Sequence, residues 1–270
     1  MMKKVRSCLK WAGGKYRLLD SLLEYLPEGK RLVEPFLGSG TVFLNTDYSH
    51  YLLNDINVDI INLFSIIQDM PEKYLREAHK LFHQQYNCKE AYYELRKNFN
   101  KINDSFDKSL LFLYLNRHGY NGLCRYNQSG NYNVPFGFYK KPYFPEKEIL
   151  FFAQKLQYAT LTCKSFQEVF LDVQVGDVVY CDPPYLPLSD TANFMGYHRL
   201  GFSMAQQREL VECAIASSKR AIFVLISNHD TVLARRLYCN AMIEKINVTR
   251  TISRLGHTRK AVGELFAIYS

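Results

Sequence analysis

The stretch Asp177-Val178-Val179-Tyr180-Cys181-Asp182-Pro183-Pro184-Tyr185 decides the fold class. Its first five residues form a largely apolar run that predicts a buried β-strand. The two prolines cannot continue a strand, so the strand ends before them and the turn that follows is rigid. A continuous apolar strand of this kind is typical of a parallel sheet whose faces are covered by helices. The sequence therefore predicts an α/β protein.

The first 55 residues show the same alternation of strands and helices. Arg31–Val33 and Tyr51–Leu53 are predicted strands, and Arg17–Leu26 and Thr41–Asn45 are predicted helices. A strand–loop–helix–strand unit favours parallel pairing of its two strands, so this segment also belongs to a parallel sheet.

The alternation resumes in the second half of the chain. Ser165 with Glu168, and Ser203 with Gln206, have the spacing of capping boxes and each predict the start of a helix. Ala221–Ile226 is the most apolar strand and is expected to be central in the sheet. The other predicted helices are 146–158 and 230–238, and the other predicted strands are 159–162, 242–249 and 264–269.

The middle of the chain is predicted to be a helical insertion. Four helices are expected there, without a strand between them: Ile56–Gln68, Glu72–Gln85, Glu90–Phe99 and Lys108–Leu115. A segment rich in Asn, Gly and Tyr follows and is expected to form loops. From Asn116 to Pro145 it contains no Asp or Glu, but it carries four Lys and Arg residues and eight aromatic ones. Basic charge with interleaved aromatic residues is typical of a nucleic-acid surface.

Composition narrows the functional classes. The 270 residues carry a net charge of +8, which suits nucleic acid or another anionic partner. No apolar run is long enough for a membrane helix, and no signal peptide is recognised, so a cytoplasmic protein is expected. The seven cysteines form no C-x-x-C pair, which argues against a zinc ribbon or a dithiol redox site.

Three stretches near the N-terminus suggest a nucleotide-like ligand. Glu34-Pro35-Phe36-Leu37-Gly38-Ser39-Gly40 follows a strand and opens a helix, where glycines let a ligand approach the backbone. Asp55, at the end of the next strand, is placed to bind both ribose hydroxyls of a nucleoside cofactor. Lys10-Trp11-Ala12-Gly13-Gly14-Lys15 holds the single tryptophan. Each has an alternative interpretation: a tight turn, an N-cap for the helix 56–68, and a buried Trp.

Asp182, Pro183 and Tyr185 carry the most specific chemical signal. The Asp182 carboxylate and the Pro183 carbonyl are two fixed acceptors at the carboxyl end of a parallel strand, where ligands bind in open α/β sheets. Tyr185 adds an aromatic face. This arrangement suits a planar amine such as the exocyclic amino group of a base, because two acceptors on its hydrogens free the nitrogen lone pair. The alternative is an ordinary strand-ending turn, which the upstream glycine loop and Asp55 make less favoured.

Together these motifs resemble the Dam-type DNA adenine-N6 methyltransferases that act on GATC, over nearly the whole chain. The stretches that carry the resemblance are Leu9-Lys10-Trp11-Ala12-Gly13-Gly14-Lys15-Tyr16, Val33-Glu34-Pro35-Phe36, Leu111-Phe112-Leu113-Tyr114-Leu115-Asn116-Arg117, Gly119-Tyr120-Asn121-Gly122-Leu123-Cys124-Arg125-Tyr126-Asn127, Val179-Tyr180-Cys181-Asp182-Pro183-Pro184-Tyr185 and Leu225-Ile226-Ser227-Asn228-His229-Asp230.

The resemblance implies a Rossmann-like, S-adenosylmethionine-dependent methyltransferase fold with a mostly helical DNA-recognition insertion. Residues 1–55 and 145–270 would form the catalytic domain, and 56–144 the target-recognition domain. The cofactor would be S-adenosylmethionine, and the substrate an adenine extruded from double-stranded GATC. No metal and no membrane are implied, and a cytoplasmic monomer associated with DNA is expected.

The resemblance also implies residue roles. The catalytic residues would be Asp182, Pro183, Pro184 and Tyr185. The cofactor would be bound by Trp11, Lys15, Phe36, Gly38, Gly40, Asp55 and Asp182. Lys10, Tyr120, Asn121, Leu123, Arg125 and Pro135 match positions near the bases, with Tyr120 inserted into the stack. Arg96, Arg117, Asn127, Asn133 and Tyr139 look like contacts to the DNA backbone, and Lys140 and Lys141 are expected to meet phosphates.

Two departures from the family pattern concern DNA contacts. Phe138 stands where related sequences often carry a basic residue, which removes one phosphate contact. Leu255-Gly256-His257 replaces a smaller, more polar stretch, although the loop 250–260 keeps enough Arg and Lys to face DNA. Two alternatives remain at this point: a methyltransferase for another planar amine, in RNA adenine or protein glutamine, and a DNA-binding regulator of the same fold without catalysis.

Overall fold

The computed structural model describes residues 4–186, 202–246 and 263–270. The chain forms two compact units. The first comprises Met1–Tyr16, Leu37–Thr46 and Asp55–Cys163, and the second Arg17–Phe36, Asp47–Asn54 and Lys164–Ser270. The two units differ in their bounds from the predicted catalytic domain, 1–55 and 145–270, and the predicted target-recognition domain, 56–144. These functional domains stay a prediction.

The described residues contain seven strands: β1 Arg31–Glu34, β2 His50–Asn54, β3 Ala159–Thr162, β4 Asp177–Cys181, β5 Phe223–His229, β6 Met242–Ile246 and β7 Glu264–Tyr269. All but β3 belong to the second unit, where they lie in the order β2-β1-β4-β5-β7-β6. The pairs β1–β2, β1–β4 and β4–β5 are parallel. Only β7 runs antiparallel to its neighbours β5 and β6. The predicted α/β class is confirmed.

The same residues contain ten α-helices: α1 Leu19–Tyr25, α2 Thr41–Leu44, α3 Val58–Asp69, α4 Pro71–Lys80, α5 Lys89–Phe99, α6 Ser105–His118, α7 Glu146–Leu156, α8 Phe166–Leu171, α9 Met204–Ser218 and α10 Val232–Leu237. Short 3₁₀ turns cover Lys15–Arg17, Gln84–Tyr86 and Tyr120–Gly122. Of the helices, α1, α8, α9 and α10 belong to the second unit.

The core of the second unit is built around β4, all five of whose residues are buried. Apolar residues of β1, β2, β5 and β7 pack with α8 and α9 in one cluster. At the amino ends of β1 and β4, the Arg31 guanidinium makes two hydrogen bonds to the Asp177 carboxylate, at 3.0 and 2.6 Å. Since Arg31 and Asp177 are register partners, this ion pair supports the alignment that brings the carboxyl ends of both strands to one edge.

The core of the first unit is the helix α6, which packs against α3, α4 and α5. Its residues from Leu111 to His118 are all buried, as expected for a helix enclosed on every side. It begins at Ser105, three residues before the predicted start, because the Asp104 side chain caps it by accepting from the Asp107 amide. The predicted helix 72–85 instead ends at Lys80, where Leu81 makes a tighter 3₁₀-type bond to Ala78.

Both predicted capping boxes are present, at Ser165 with Glu168 and at Ser203 with Gln206. The predicted strand 221–226 starts later, at Phe223, because Ala221 adopts a left-handed φ of 57°. It lies between β4 and β7, inside the sheet as predicted. Residues 247–249 of the predicted strand 242–249 and the loop 250–260 lie outside the described residues. Within the described part of the chain, no helix has the length and apolar character to cross a membrane.

The capping box of α9 yields a stability prediction. Ser203→Ala removes the hydroxyl that accepts from the Gln206 amide, so it should lower the free energy of unfolding by about 1 kcal/mol. Ser218→Ala, at the other end of α9, should change it by much less, because Ser218 only bonds back to a helix carbonyl. Urea denaturation measures both. Equal losses would show that the cap contributes nothing specific.

Candidate active site

The Asp182-Pro183-Pro184-Tyr185 turn leaves the carboxyl end of β4, beside the end of the parallel strand β5. The Ser227 hydroxyl of β5 donates to Asp182 Oδ1 at 3.1 Å. Because that hydroxyl has one proton, the Tyr180 hydroxyl, 3.1 Å from it, donates to Ser227 in turn. Tyr180 and Ser227 are fully buried. The Asp182 carboxylate is therefore held by a neutral hydrogen-bond relay from the sheet.

The other end of the turn is anchored by two buried amides. Asn228 Oδ1 accepts from the Leu186 amide at 3.1 Å, and Gln207 Nε2 donates to the Pro184 carbonyl at 2.8 Å. The Tyr238 hydroxyl links the two amides, accepting from Asn228 and donating to Gln207. The bond to the Pro184 carbonyl leaves the Pro183 carbonyl, the substrate acceptor predicted from the sequence, unaffected.

Tyr185 is held by residues of β5 and β7. Its hydroxyl donates to Glu264 Oε2 at 2.9 Å, and its ring meets the His229 ring edge to face, with centroids 4.6 Å apart. Burial, and then the negative charges of Asp182 and Glu264, raise the pKa of Tyr185 well above its usual value. The hydroxyl therefore stays protonated and acts as a donor.

The glycine loop of the first unit is organised by Asp55. Asp55 Oδ2 accepts from the Gly38 amide at 2.8 Å, and Oδ1 accepts from the Asn57 amide at 2.9 Å. The N-cap of α3 is Asn57, which accepts from the Asp59 amide, so Asp55 is not the helix cap that the sequence left as an alternative. Burial raises the pKa of Asp55, while the hydrogen bonds from the Asn57 and Gly38 amides act to lower it.

Trp11 and Lys15 belong to the same unit as the glycine loop. A Cβ at Gly38, whose φ is 52°, would lie 2.8 Å from Trp11 Nε1. Trp11 is half-buried. Lys15 is buried, and its Nζ donates to the Gly13 carbonyl at 3.0 Å. Phe36 belongs to the second unit, where it packs against Phe166 and Phe202.

These groups fit S-adenosylmethionine. Each Asp55 oxygen accepts one amide and keeps lone pairs for a ribose hydroxyl. The half-exposed Trp11 ring offers an aromatic face, and Gly38 and Gly40, both at positive φ, leave backbone without a side chain. No group of three or more metal-ligating side chains is found in the ranges 4–186, 202–246 and 263–270.

The predicted base-contacting residues near Tyr120 lie together. Lys10 Nζ donates to the Arg117 carbonyl at 3.1 Å and lies 3.7 Å from the centre of the Tyr139 ring. The Tyr139 hydroxyl accepts from the amide of Asn121, which has a left-handed φ of 54°. Tyr120 is 39% exposed and available to a ligand. Burial, with a smaller contribution from the Arg117 charge, lowers the pKa of Lys10 to about 8.

Arg125 lies on a hairpin between Leu123 and Asn133. Its Nε donates to Asn133 Oδ1 at 2.7 Å, and the Asn133 amide donates to its carbonyl at 3.0 Å. The tip of the hairpin is closed by Asn127, whose side chain accepts from two amides. Arg125 is exposed and Leu123 is half-buried. Asn127 and Asn133, predicted as backbone contacts, thus also shape the hairpin.

Arg117, a predicted contact to the DNA backbone, is mostly buried. It is only 7% exposed, and its guanidinium donates to the carbonyls of Tyr143 and Cys8, at 3.0 and 3.5 Å. Burial lowers its pKa. These two donors are directed at backbone oxygens inside the first unit, and the phosphate contact of Arg117 stays a prediction.

The other predicted backbone contacts lie closer to solvent. Arg96, Asn127 and Asn133 line one open cavity of about 480 Å³, together with Lys97 and Lys101. Arg96 also donates to the Val134 carbonyl at 2.8 Å. Among the remaining predicted contacts, Pro135, Lys140 and Lys141 are exposed.

Comparison with known proteins decides the family. Residues 11–252 match the family model of the D12 class N6 adenine-specific DNA methyltransferases. The chain belongs to this family. It is 54% identical over 268 residues to a DNA adenine methylase of Escherichia coli K12, covering 99% of this chain and 96% of that one. It is 52% identical over 270 residues to a DNA adenine methylase of Vibrio cholerae, covering 100% and 98%.

A third relative, the DNA adenine methylase of Serratia marcescens, is 51% identical over 269 residues, covering 99% of this chain and all of that one. The predictions of an adenine-specific DNA methyltransferase and of S-adenosylmethionine as methyl donor are confirmed. The roles of individual residues stay predictions.

Sequence reasoning assigned no role to several residues that shape the methyltransferase site. Ser227, Asn228 and His229 end an apolar strand, a position where polar side chains at a ligand-binding edge could have been suspected. Glu264 and Gln207 gave no such signal, because they reach the turn from elements 79 and 23 residues away. Asn57 is the N-cap of α3, a role that the sequence suggested only for the nearby Asp55.

The single tryptophan makes the glycine loop of this methyltransferase testable. Gly38→Ala should destabilise the protein, shift the Trp11 emission and weaken cofactor binding, because the new Cβ meets the indole. Gly130 also has a positive φ, of 74°, but open space around it. Gly130→Ala should therefore show only the backbone strain, about 1–3 kcal/mol, without a change in emission. Identical behaviour of the two variants would contradict the close packing of loop and indole.

Proposed function

We propose that this methyltransferase methylates the N6 atom of adenine in double-stranded GATC, after the base has been extruded from the duplex. The observation that carries the chemistry is the Asp182–Tyr185 turn, whose carboxylate and aromatic side chain are both held by hydrogen bonds from the sheet. The GATC target rests on the resemblance of the segment 119–127 to the Dam-type family. Extrusion is required because the amino group is inaccessible inside the stack.

S-adenosylmethionine would be held by Trp11, Lys15, Phe36, Gly38, Gly40, Asp55 and Asp182, and supplies an electrophilic methyl group. Asp55 would accept hydrogen bonds from the ribose hydroxyls, the role an acid at the tip of the second strand has in nucleotide-binding sheets. The hydrogen bonds that it accepts from two backbone amides keep the carboxylate oriented, while burial shields it from water.

Asp182 and the Pro183 carbonyl would accept the two hydrogens of the adenine amino group. The nitrogen lone pair is delocalised into the base, and two fixed acceptors favour the pyramidal form in which it can attack. Their effect depends on being in place beforehand, since preorganised acceptors need no rearrangement in the transition state. The Tyr180–Ser227 relay and the Pro183-Pro184 pair provide that rigidity.

The segment 119–141 would read the DNA. Tyr120 would fill the gap that the extruded base leaves, and Arg125 would bridge the two major-groove acceptors of a guanine. The hydrogen bond that Arg125 donates to Asn133 supports this role, because it holds the guanidinium on the hairpin while leaving it exposed. We further propose that the enzyme acts on DNA in the cytoplasm as a monomer.

The proposed chemistry predicts the behaviour of Asp182→Ala. Transfer of radiolabelled methyl groups from S-adenosylmethionine to GATC duplexes should fall by about several hundredfold, the scale of one preorganised electrostatic contact of about 3–4 kcal/mol. DNA affinity should be largely retained, because the carboxylate meets no phosphate. Asp172→Ala, which breaks an exposed ion pair with Lys164, is the control and should keep the wild-type rate.

A near-normal single-turnover rate in Asp182→Ala would remove Asp182 from the reaction. Binding of GATC without any methyl transfer by the wild-type chain would instead identify a catalytically inactive DNA-binding protein.

The recognition segment predicts two different effects of removing positive charge. Arg125→Ala should lower the preference for GATC over single-mismatch duplexes by about 1–3 kcal/mol, the value of one bidentate base contact. Lys140→Ala and Lys141→Ala should weaken binding to every duplex and reduce the salt dependence by about one unit of slope for each phosphate that is no longer neutralised. Methylation rates at two salt concentrations test this. A uniform loss with a flatter slope in Arg125→Ala would reassign Arg125 to the DNA backbone.

A further inference from the structure

Tyr185 is the part of the catalytic turn that the prolines do not make rigid. Pro183 and Pro184 restrict the backbone, but the tyrosine side chain keeps two rotatable bonds. Stacking of an aromatic ring on a base depends on the ring planes being offset and parallel. If the Tyr185 side chain rotated freely, it would lose part of its stacking energy with a base. The ring orientation therefore needs a second source of restraint.

The second unit supplies that restraint from two strands at once. Glu264 opens β7 and His229 ends β5, and the two residues are register partners across the antiparallel pair. Residues directly opposite each other place their side chains on the same face of a sheet. Tyr185 lies on that face, with its hydroxyl bonded to Glu264 at 2.9 Å and its ring at 82° to the His229 ring.

The hydrogen bond also limits what Tyr185 can do. A phenol has one proton to donate, and here the Glu264 carboxylate accepts it. Burial and the nearby negative charges raise the pKa of Tyr185, which keeps that proton on the oxygen. The hydroxyl is therefore an anchor, and the ring is what faces a ligand.

We propose that Glu264 and His229 are positioning residues of the methyltransferase, which fix the plane of the Tyr185 ring for stacking on the target adenine. The inference rests on the proposed function, in which the extruded base meets this turn. Glu264 touches neither base nor cofactor in this role. It acts through the tyrosine hydroxyl, and its removal leaves the stacking face present but free to rotate.

Glu264→Ala, Tyr185→Phe and their combination form a double-mutant cycle that tests the proposal. Tyr185→Phe keeps the ring and removes only the hydroxyl. Each single change should lower the single-turnover methylation rate by about ten- to hundredfold, the range that one hydrogen bond to a charged group is worth. The double variant should be no slower than the slower single variant, because both remove the same interaction. Affinities for the GATC duplex and for S-adenosylmethionine should stay within about twofold of the wild type, since neither group contacts them directly.

Two further variants separate positioning from a general structural role. Glu264→Gln keeps an oxygen acceptor for the hydroxyl, so it should recover most of the rate lost in Glu264→Ala. Glu244→Ala is the matched control, because Glu244 on β6 accepts a similar bond from Tyr25, at 3.3 Å, away from the turn. It should leave the rate unchanged while reporting what the loss of a tyrosine–glutamate bond does to the melting temperature.

The outcomes distinguish this inference from the function on which it rests. If Glu264→Ala does not fold, Tyr185→Phe and Glu264→Gln still decide: a wild-type rate in Tyr185→Phe overturns the inference. Additive losses in the double variant also overturn it, because Glu264 would then act on something other than the hydroxyl. Both results presuppose that the wild-type chain methylates adenine in DNA. Absence of that activity would refute the proposed function itself.

Discussion

The parallel pairing of β4 with β5 is the constraint on which the catalytic turn depends. With Cys181 opposite Ile226, the polar end of β5 lies beside the first residue after β4, and Ser227 reaches the Asp182 carboxylate. Side chains alternate between the two faces of a strand, so a slip by one residue would turn Ser227 away and bring Ile226 or Asn228 into its place. The ion pair of Arg31 with Asp177, at the amino ends of β1 and β4, supports the register of β4 with its other neighbour. The position of one carboxylate is thus determined by contacts along the whole strand.

The two units hold their proposed functional carboxylates in different ways. Asp55 in the first unit is stabilised by backbone amides, which are fixed by the chain itself and cannot rotate away. Asp182 in the second unit receives a hydroxyl, whose proton position depends on a further tyrosine. Hydrogen bonds from backbone amides suit a carboxylate that must keep one orientation toward a bound ligand. The hydroxyl relay likewise holds its carboxylate in place before a substrate binds.

The sequence predicted features that depend on a few consecutive residues better than features that depend on tertiary contacts. The strand Asp177–Cys181, the prolines after it and both capping boxes are encoded within a few residues, and all are present. The roles of Glu264 and Gln207 depend on tertiary pairing, which a local pattern does not contain. Arg117 has contacts that its local pattern does not contain either. A basic residue at the start of an acid-free segment suggests DNA, but the carbonyls of Cys8 and Tyr143 accept its donors inside the first unit.

The recognition segment has little regular secondary structure, and side-chain hydrogen bonds hold it in place instead. Side chains accept from its backbone amides: the Tyr132 amide donates to Asn100 Oδ1, and the Asn131 amide donates to Asn127 Oδ1. At the base of the hairpin the Tyr126 hydroxyl donates to the buried Asp59, at 2.6 Å. Asp59 follows Asn57, the cap that also bonds Asp55, so a continuous series of hydrogen bonds joins the glycine loop to the hairpin within the first unit. A loop ordered in this way loses less conformational entropy on binding than a flexible one. Arginine and asparagine side chains therefore do two tasks here, since the groups that shape the free hairpin are also the groups proposed to meet DNA.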